Sequence, residues 1–161
     1  MKPVITSRSM KLVNTSRRRG ISLFAVAVAF LAADNSVHAT PAPRAKTVWD
    51  SVYSANQAAR GETAYTNTCA RCHKASLGGA DESPALTGSS FLANWNGQTV
   101  RDLHDRVRTS MPTDDPGTYN RQLVTDVIAY MFKVNGFPAG SAELSTAADS
   151  LKDITIQSAK P

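Results

Sequence analysis

Cys69-Ala70-Arg71-Cys72-His73 gathers the most reactive side chains of this chain into five consecutive positions. Two thiols three residues apart fall on the same side of a helical turn. There they can add to the two vinyl groups on one edge of a porphyrin, and the adjoining imidazole can reach the iron. C-x-x-C-H therefore reads as a c-type haem attachment site. The run occurs once, so one covalent haem c with one iron is expected. Covalent attachment fixes ring and ligand together, which lets a small domain hold a large flat cofactor with few other contacts. Two other chemistries use paired cysteines. A thioredoxin-like redox pair wants a βαβ context, and none is apparent. A zinc site wants two further ligands at suitable spacing. Beyond residue 39 the only other histidine is His104, and there is no further cysteine.

His73 is expected to be one axial ligand. The other is sought among Met111, Met131 and His104. A Met/His pair raises the reduction potential of a haem. Met131 falls on the apolar stripe of a helix, where core packing is the simpler role. Met111 follows a helix directly and precedes Pro112, which biases it toward an extended backbone and helps hold a ligand loop. Met111 is thus the expected sixth ligand. His104, the bis-histidine alternative, lies within a predicted helix and is expected to be exposed.

The elements that must position these residues are helical. The pattern from Ala55 to Cys69 is rich in Ala and Gln, with Gly61 and Tyr65 on one face. A glycine inside a helix costs about 1 kcal/mol relative to alanine, so Gly61 is expected where another helix approaches closely. Lys74 to Gln98 reads mostly as loop, punctuated by Gly78-Gly79, Ser83-Pro84 and Gly88. Its apolar anchors are Phe91, Leu92 and Trp95. Thr99 to Thr109 is a second helix with Val100, Leu103 and Val107 as its stripe, and Thr99 and Asp102 have capping-box spacing. A third helix starts at the N-cap Asn120 and ends before Gly136. Leu123, Val127, Tyr130, Met131 and Val134 form its buried side. Thr146 with Asp149 fits the cap of one last turn, and Ile154 and Ile156 would fasten the tail. The expectation is an all-α domain of about three main helices, with long loops wrapped round one haem.

Residues 1–39 carry the marks of an export signal. Arg17, Arg18 and Arg19 are followed by the apolar stretch Ile21 to Ala33, and Val37-His38-Ala39 offers a small-residue cleavage site. An apolar run of that length falls short of the ~20 residues that cross a bilayer as a helix. Met10 is an alternative start, and Gly20 disfavours a twin-arginine reading of Arg17-Arg18. The leader holds six of the 18 basic residues and one of the 13 acids. The chain from Thr40 onward is left with 12 of each and no net charge. The basic pI is therefore no sign of nucleic-acid binding, which needs a basic patch on the folded domain. The expected organisation is a signal peptide over 1–39, a lead-in over 40–54, the haem domain over 55–140 and a packed tail over 141–161.

With these residues in hand, the chain resembles the class I monohaem cytochromes c from about Trp49 to Gly140. The likeness rests on Gly61 and Tyr65, Cys69-x-x-Cys72-His73, Pro84, Gly88, Trp95, Met111-Pro112 and Ala129-Tyr130. It implies that the first and last helices cross at Gly61, with Tyr65 and Tyr130 beside it. It also implies that the Pro84 carbonyl accepts the proton on the second nitrogen of His73, fixing its tautomer. By the same likeness, Trp95 lines the haem pocket near a propionate. One position departs from the family, which often has glycine after the motif histidine where this chain has Lys74. The segment from Trp49 to Gly61 is also similar to cytochrome domains that accompany quinoprotein dehydrogenases.

These readings point to a periplasmic electron carrier rather than an enzyme. It would be monomeric, without stable membrane insertion, and would pass electrons from a donor dehydrogenase to an acceptor oxidase or cytochrome. A haem enzyme or small-ligand-binding protein would need an open sixth position and a polar distal group. A bound relay subunit of a dehydrogenase complex would share the carrier's chemistry. Asp114-Asp115 before Pro116-Gly117 reads as a solvated turn rather than a calcium site. Arg101, Arg106 and Arg108, interleaved with Asp102 and Asp105, read as a solvated helix face.

Overall fold

The computed structural model describes residues 44–161. The signal peptide expected over 1–39 lies outside the described residues. The elements run β1 (Lys46–Thr47), α1 (Ala55–Thr68), α2 (Ala70–His73), α3 (Gly88–Trp95), α4 (Val100–Ser110), α5 (Arg121–Val134), α6 (Ala148–Leu151) and β2 (Ile154–Thr155). The fold is all-α, the two short strands forming a single parallel pair. Among the described residues no helix is long and apolar enough to cross a membrane.

Local chemistry starts the three main helices. The Ser54 hydroxyl accepts from the Gln57 amide at the head of α1. The Asn120 side chain accepts from Leu123 at the head of α5. On α4, Thr99 and Asp102 satisfy each other's amides in a capping box, filling two of the donors that a helix start leaves unpaired.

The centre of the fold is the crossing of α1 and α5. A Cβ on Gly61 would lie 1.8 Å from the Asp126 carbonyl oxygen, so the two backbones touch there. Tyr65 and Tyr130 flank the contact with ring centroids 5.5 Å apart. Arg60 braces it from the side, bonding Asp126 on α5 and Glu143 in the tail.

Val134, expected on the buried side of α5, is exposed, and two further local expectations are corrected. The stretch from Lys74 to Gln98 is not all loop, because α3 occupies its last third. Phe91 is fully buried, and Leu92 and Trp95 pack against the same core. Their burial supplies the helix that the weak local pattern after Gly88-Ser89-Ser90 did not announce. At the other end, α6 follows Ala147 and has no side-chain cap, so Thr146 does not play that part.

The tail closes over the opposite side. β2 pairs with β1, and its Ile154 and the following Ile156 are buried. The Trp49 indole N–H donates to the Gln157 carbonyl, and the Tyr53 hydroxyl to that of Phe137. Gln57 is completely buried on α1, and its amide bonds both main-chain groups of Leu144 at 3.0 and 2.7 Å. Replacing Gln57 by leucine strands a buried N–H and a buried C=O. The expected loss is about 2–4 kcal/mol in urea unfolding, with earlier proteolytic release of the tail. An unchanged midpoint would show that the tail contributes nothing to the core.

Candidate functional site

α1 ends at Cys69, whose amide bonds the Tyr65 carbonyl, and the chain turns at once into the single turn α2. Cys72 and His73 both return their amides to the Cys69 carbonyl, which places both thiols and the imidazole around one turn. The turn stops at Lys74, which has φ 65 and ψ 155. That left-handed backbone favours glycine, the residue the class I pattern often has there. The turn is kept despite the lysine, and the Lys74 carbonyl accepts the Tyr65 hydroxyl at 2.6 Å. Lys74→Gly is accordingly expected to raise stability by about 1 kcal/mol. A lower thermal midpoint would show that the side chain has a contact that outweighs the strain.

The loop after α2 is folded back tightly. Gly79 donates to the His73 carbonyl, Ala80 and Ser83 exchange both main-chain bonds, and Leu86 donates to Leu77. A Cβ on Gly79 would lie 2.4 Å from the Ser83 oxygen, so the glycine permits the fold-back. The result is a 2.8 Å contact between His73 Nδ1 and the Pro84 carbonyl oxygen. A carbonyl only accepts, so Nδ1 carries the proton and Nε2 keeps its lone pair for a metal. His73 is itself buried.

A cleft of about 390 Å³ opens beside this turn, lined by Cys69, Cys72, His73, Pro84, Trp95 and Met111. All six candidate residues therefore meet at one place. Leu86, Leu103, Val107, Val127 and Met131 give the cleft an apolar wall. Met111 caps the C-terminus of α4 with an extended backbone. Met131 is 1% exposed and belongs to the core as well as the wall.

The donor set fits haem c. Two thiols, one imidazole with a free Nε2 and one thioether face a mainly apolar slot. Burial pushes the Cys69 thiol above its ordinary range, the opposite of what a reactive redox thiolate needs. Among the described residues no group of three or more His, Cys, Asp or Glu could hold a metal ion, so a zinc site finds no support.

His104 is corrected. It is fully buried, not exposed, and does not line the cleft. The tail packs against α4, where Thr99 bridges to Thr155 and Arg101 approaches Asp149. Nδ1 lies 3.2 Å from Asp105, and Nε2 has no hydrogen-bond partner among the described residues.

Four residues at or beside the site had no signal in the spacing of the sequence. Asn135 bonds the Leu86 carbonyl and the Gly88 amide, fastening the start of α3 to the end of α5. Arg71 pairs with Asp114, and Tyr119 reaches the Thr68 carbonyl. Only the Asn135-Gly136 helix stop was visible, and it says nothing about a side chain bonding 47 residues away.

The family described as cytochrome C oxidase, cbb3-type, subunit III matches residues 56–131, just under half of the chain. With the all-α fold and the cleft described above, this supports a c-type cytochrome domain, a class whose cofactor is covalently bound haem c with its iron. Among solved structures, the sulfane dehydrogenase SoxCD from Paracoccus pantotrophus is similar at 21% identity and a TM-score of 0.40. The match covers 55% of this chain and 53% of that one, so the chain spans about half the length of the structure it matches. No curated protein matches.

Proposed function

We propose that this protein is a one-electron carrier whose haem is attached through Cys69 and Cys72 and ligated by His73 and Met111. The observation that supports this best is the tautomer of His73. The Pro84 carbonyl holds the Nδ1 proton, leaving Nε2 free in the same cleft as both thiols and Met111. His73 and Met111 would hold the iron, and the bound haem would supply a ferric/ferrous couple. The chain's part is to orient and insulate. Pro84 fixes the imidazole plane and its tautomer. The apolar wall excludes water and so favours the less charged, reduced form. Trp95 lines the slot and steadies the ring. With no open coordination position there is no bond chemistry to perform, and the protein is a carrier rather than an enzyme.

The reading extends to place and partners. The leader over residues 1–39 directs export to the periplasm, with cleavage after Ala39. There the protein works as a monomer without membrane insertion. It accepts electrons from a dehydrogenase, of the quinoprotein kind by resemblance, and passes them to an oxidase or another cytochrome.

Intact mass and visible spectra test the core of the reading together. The mass should equal the polypeptide from Thr40 plus one haem, and the ferric protein should be low-spin. Haem that leaves a denatured sample in acidified organic solvent would show that no thioether bonds exist.

Charge makes a further prediction. With 12 basic and 12 acidic residues from Thr40 onward, the mature chain lacks the net charge that drives strong steering. Its electron-transfer rate with a periplasmic dehydrogenase should change less than about tenfold from low to high salt. A fall of several orders of magnitude would reveal a dominant charged docking site. A complex that survives gel filtration would make the protein a bound subunit instead.

A further inference from the structure

The segment between α4 and α5, Met111 to Asn120, is exposed from Thr113 through Thr118. Internally it is a compact turn, with Asp115 donating to the Pro112 carbonyl and Gly117 to that of Met111. Among the described residues, and apart from the Asn120 cap on Leu123, two of its side chains bond elsewhere in the fold. Asp114 receives Arg71 Nη2 on both carboxylate oxygens at 2.6 and 2.5 Å. The Tyr119 hydroxyl donates to the Thr68 carbonyl at 3.4 Å. Both ties land on the attachment segment. Thr68 precedes Cys69, and Arg71 lies between the two cysteines. Arg71, Thr113 and Tyr119 also line the cleft.

We propose that the Arg71–Asp114 pair is a latch that carries the 112–119 strap across the cleft mouth and sets how readily Met111 gives way to an external ligand. Arg71 and Asp114 are positioning residues: they act through Met111 and touch nothing that reacts. The inference rests on Met111 as the distal ligand. A strap joined to the attachment turn holds Met111 in place by protein contacts alone. Loss of Met111 must swing the strap outward, because Pro112 follows it directly in the chain and Gly117 bonds the methionine's own carbonyl. The latch opposes that swing. Both side chains are more than half exposed, so the effect is that of a surface pair: modest, and removable by salt. Tyr119 is the second, weaker tie.

Imidazole is the probe, titrated into the ferric holoprotein and followed by the Soret shift at low ionic strength. Asp114→Asn should bind imidazole two- to fivefold more tightly than the wild type, in line with a surface ion pair. Arg71→Gln should match it, and the double variant should be no tighter than either single, since both remove the same contact. Raising the salt to about 0.5 M should weaken the latch in the wild type and close the gap with the variants. The near-infrared sulfur-to-iron band should survive in every variant before imidazole is added, which separates a loosened strap from a lost ligand. Equal affinity in wild type and Asp114→Asn at low salt overturns the latch, as do additive effects in the double variant. A wild-type protein without the sulfur-to-iron band overturns the Met111 assignment itself, and the latch with it.

Discussion

Met111→Ala is expected to lower the reduction potential by tenths of a volt, within the ~0.8 V range over which axial ligands act. The ferric protein should also lose its near-infrared sulfur-to-iron band. A thioether is a soft, neutral donor that favours the reduced state, and alanine leaves water or an external ligand in its place. Met131→Leu is the control. Met131 lines the same cleft but is 1% exposed and packed among the core residues of α5, so its loss should leave band and potential nearly unchanged. Voltammetry and the near-infrared spectrum of the three proteins decide the matter. If Met131→Leu removes the band, the two methionines have exchanged roles. If His104→Ala abolishes the low-spin state, the buried imidazole has moved to the iron, although it does not line the cleft here.

The second large effect is at the helix crossing. Gly61→Ala would gain about 1 kcal/mol of helix propensity on an isolated helix. In this fold it would set a methyl 1.8 Å from the Asp126 oxygen and 2.5 Å from its carbonyl carbon. Those atoms are main chain and cannot rotate away, so α1 and α5 must separate. Separation would also loosen Tyr65 against Tyr130 and Arg60 against Asp126. The expected cost exceeds about 3 kcal/mol for alanine, the upper end of ordinary overpacking, and more for Gly61→Val. Urea or thermal unfolding of the holoprotein measures it. A midpoint that holds or rises would place Gly61 away from the contact.

Much of the candidate site is legible because its chemistry is contiguous. Cys69, Cys72 and His73 stand within one turn, and Met111 is marked by the proline beside it. Gly61 betrayed the crossing because a glycine in a helix needs a reason. The capping box at Thr99 and Asp102 is a spacing rule, and it formed. The failures share a different cause. α3 exists because Phe91, Leu92 and Trp95 find a core to enter, which its own residues do not reveal. His104 looked exposed because only one apolar stripe on α4 was counted. The helix is covered on two sides, by α5 and by the tail, and a single stripe cannot report a second neighbour. The tie between Arg71 and Asp114 spans 43 residues with ordinary surface side chains, and no local pattern encodes it.

The crossing of α1 and α5 has a consequence for how the chain reaches this state. Arg60 and Asp126 meet across 66 residues, and all of the cleft lining except Val127 and Met131 lies inside that span. The pocket therefore cannot form as a local unit. Its walls come together only after the two ends of a large ring have met, and the ring's entropy must be lost before those contacts stabilise anything. Folding of the haem-free chain should be slow for a helical protein of this size, with unfolded and half-collapsed forms lasting long enough for the two thiols to be captured. The same topology that seals the finished cofactor thus leaves an interval in which the attachment turn is still accessible for modification.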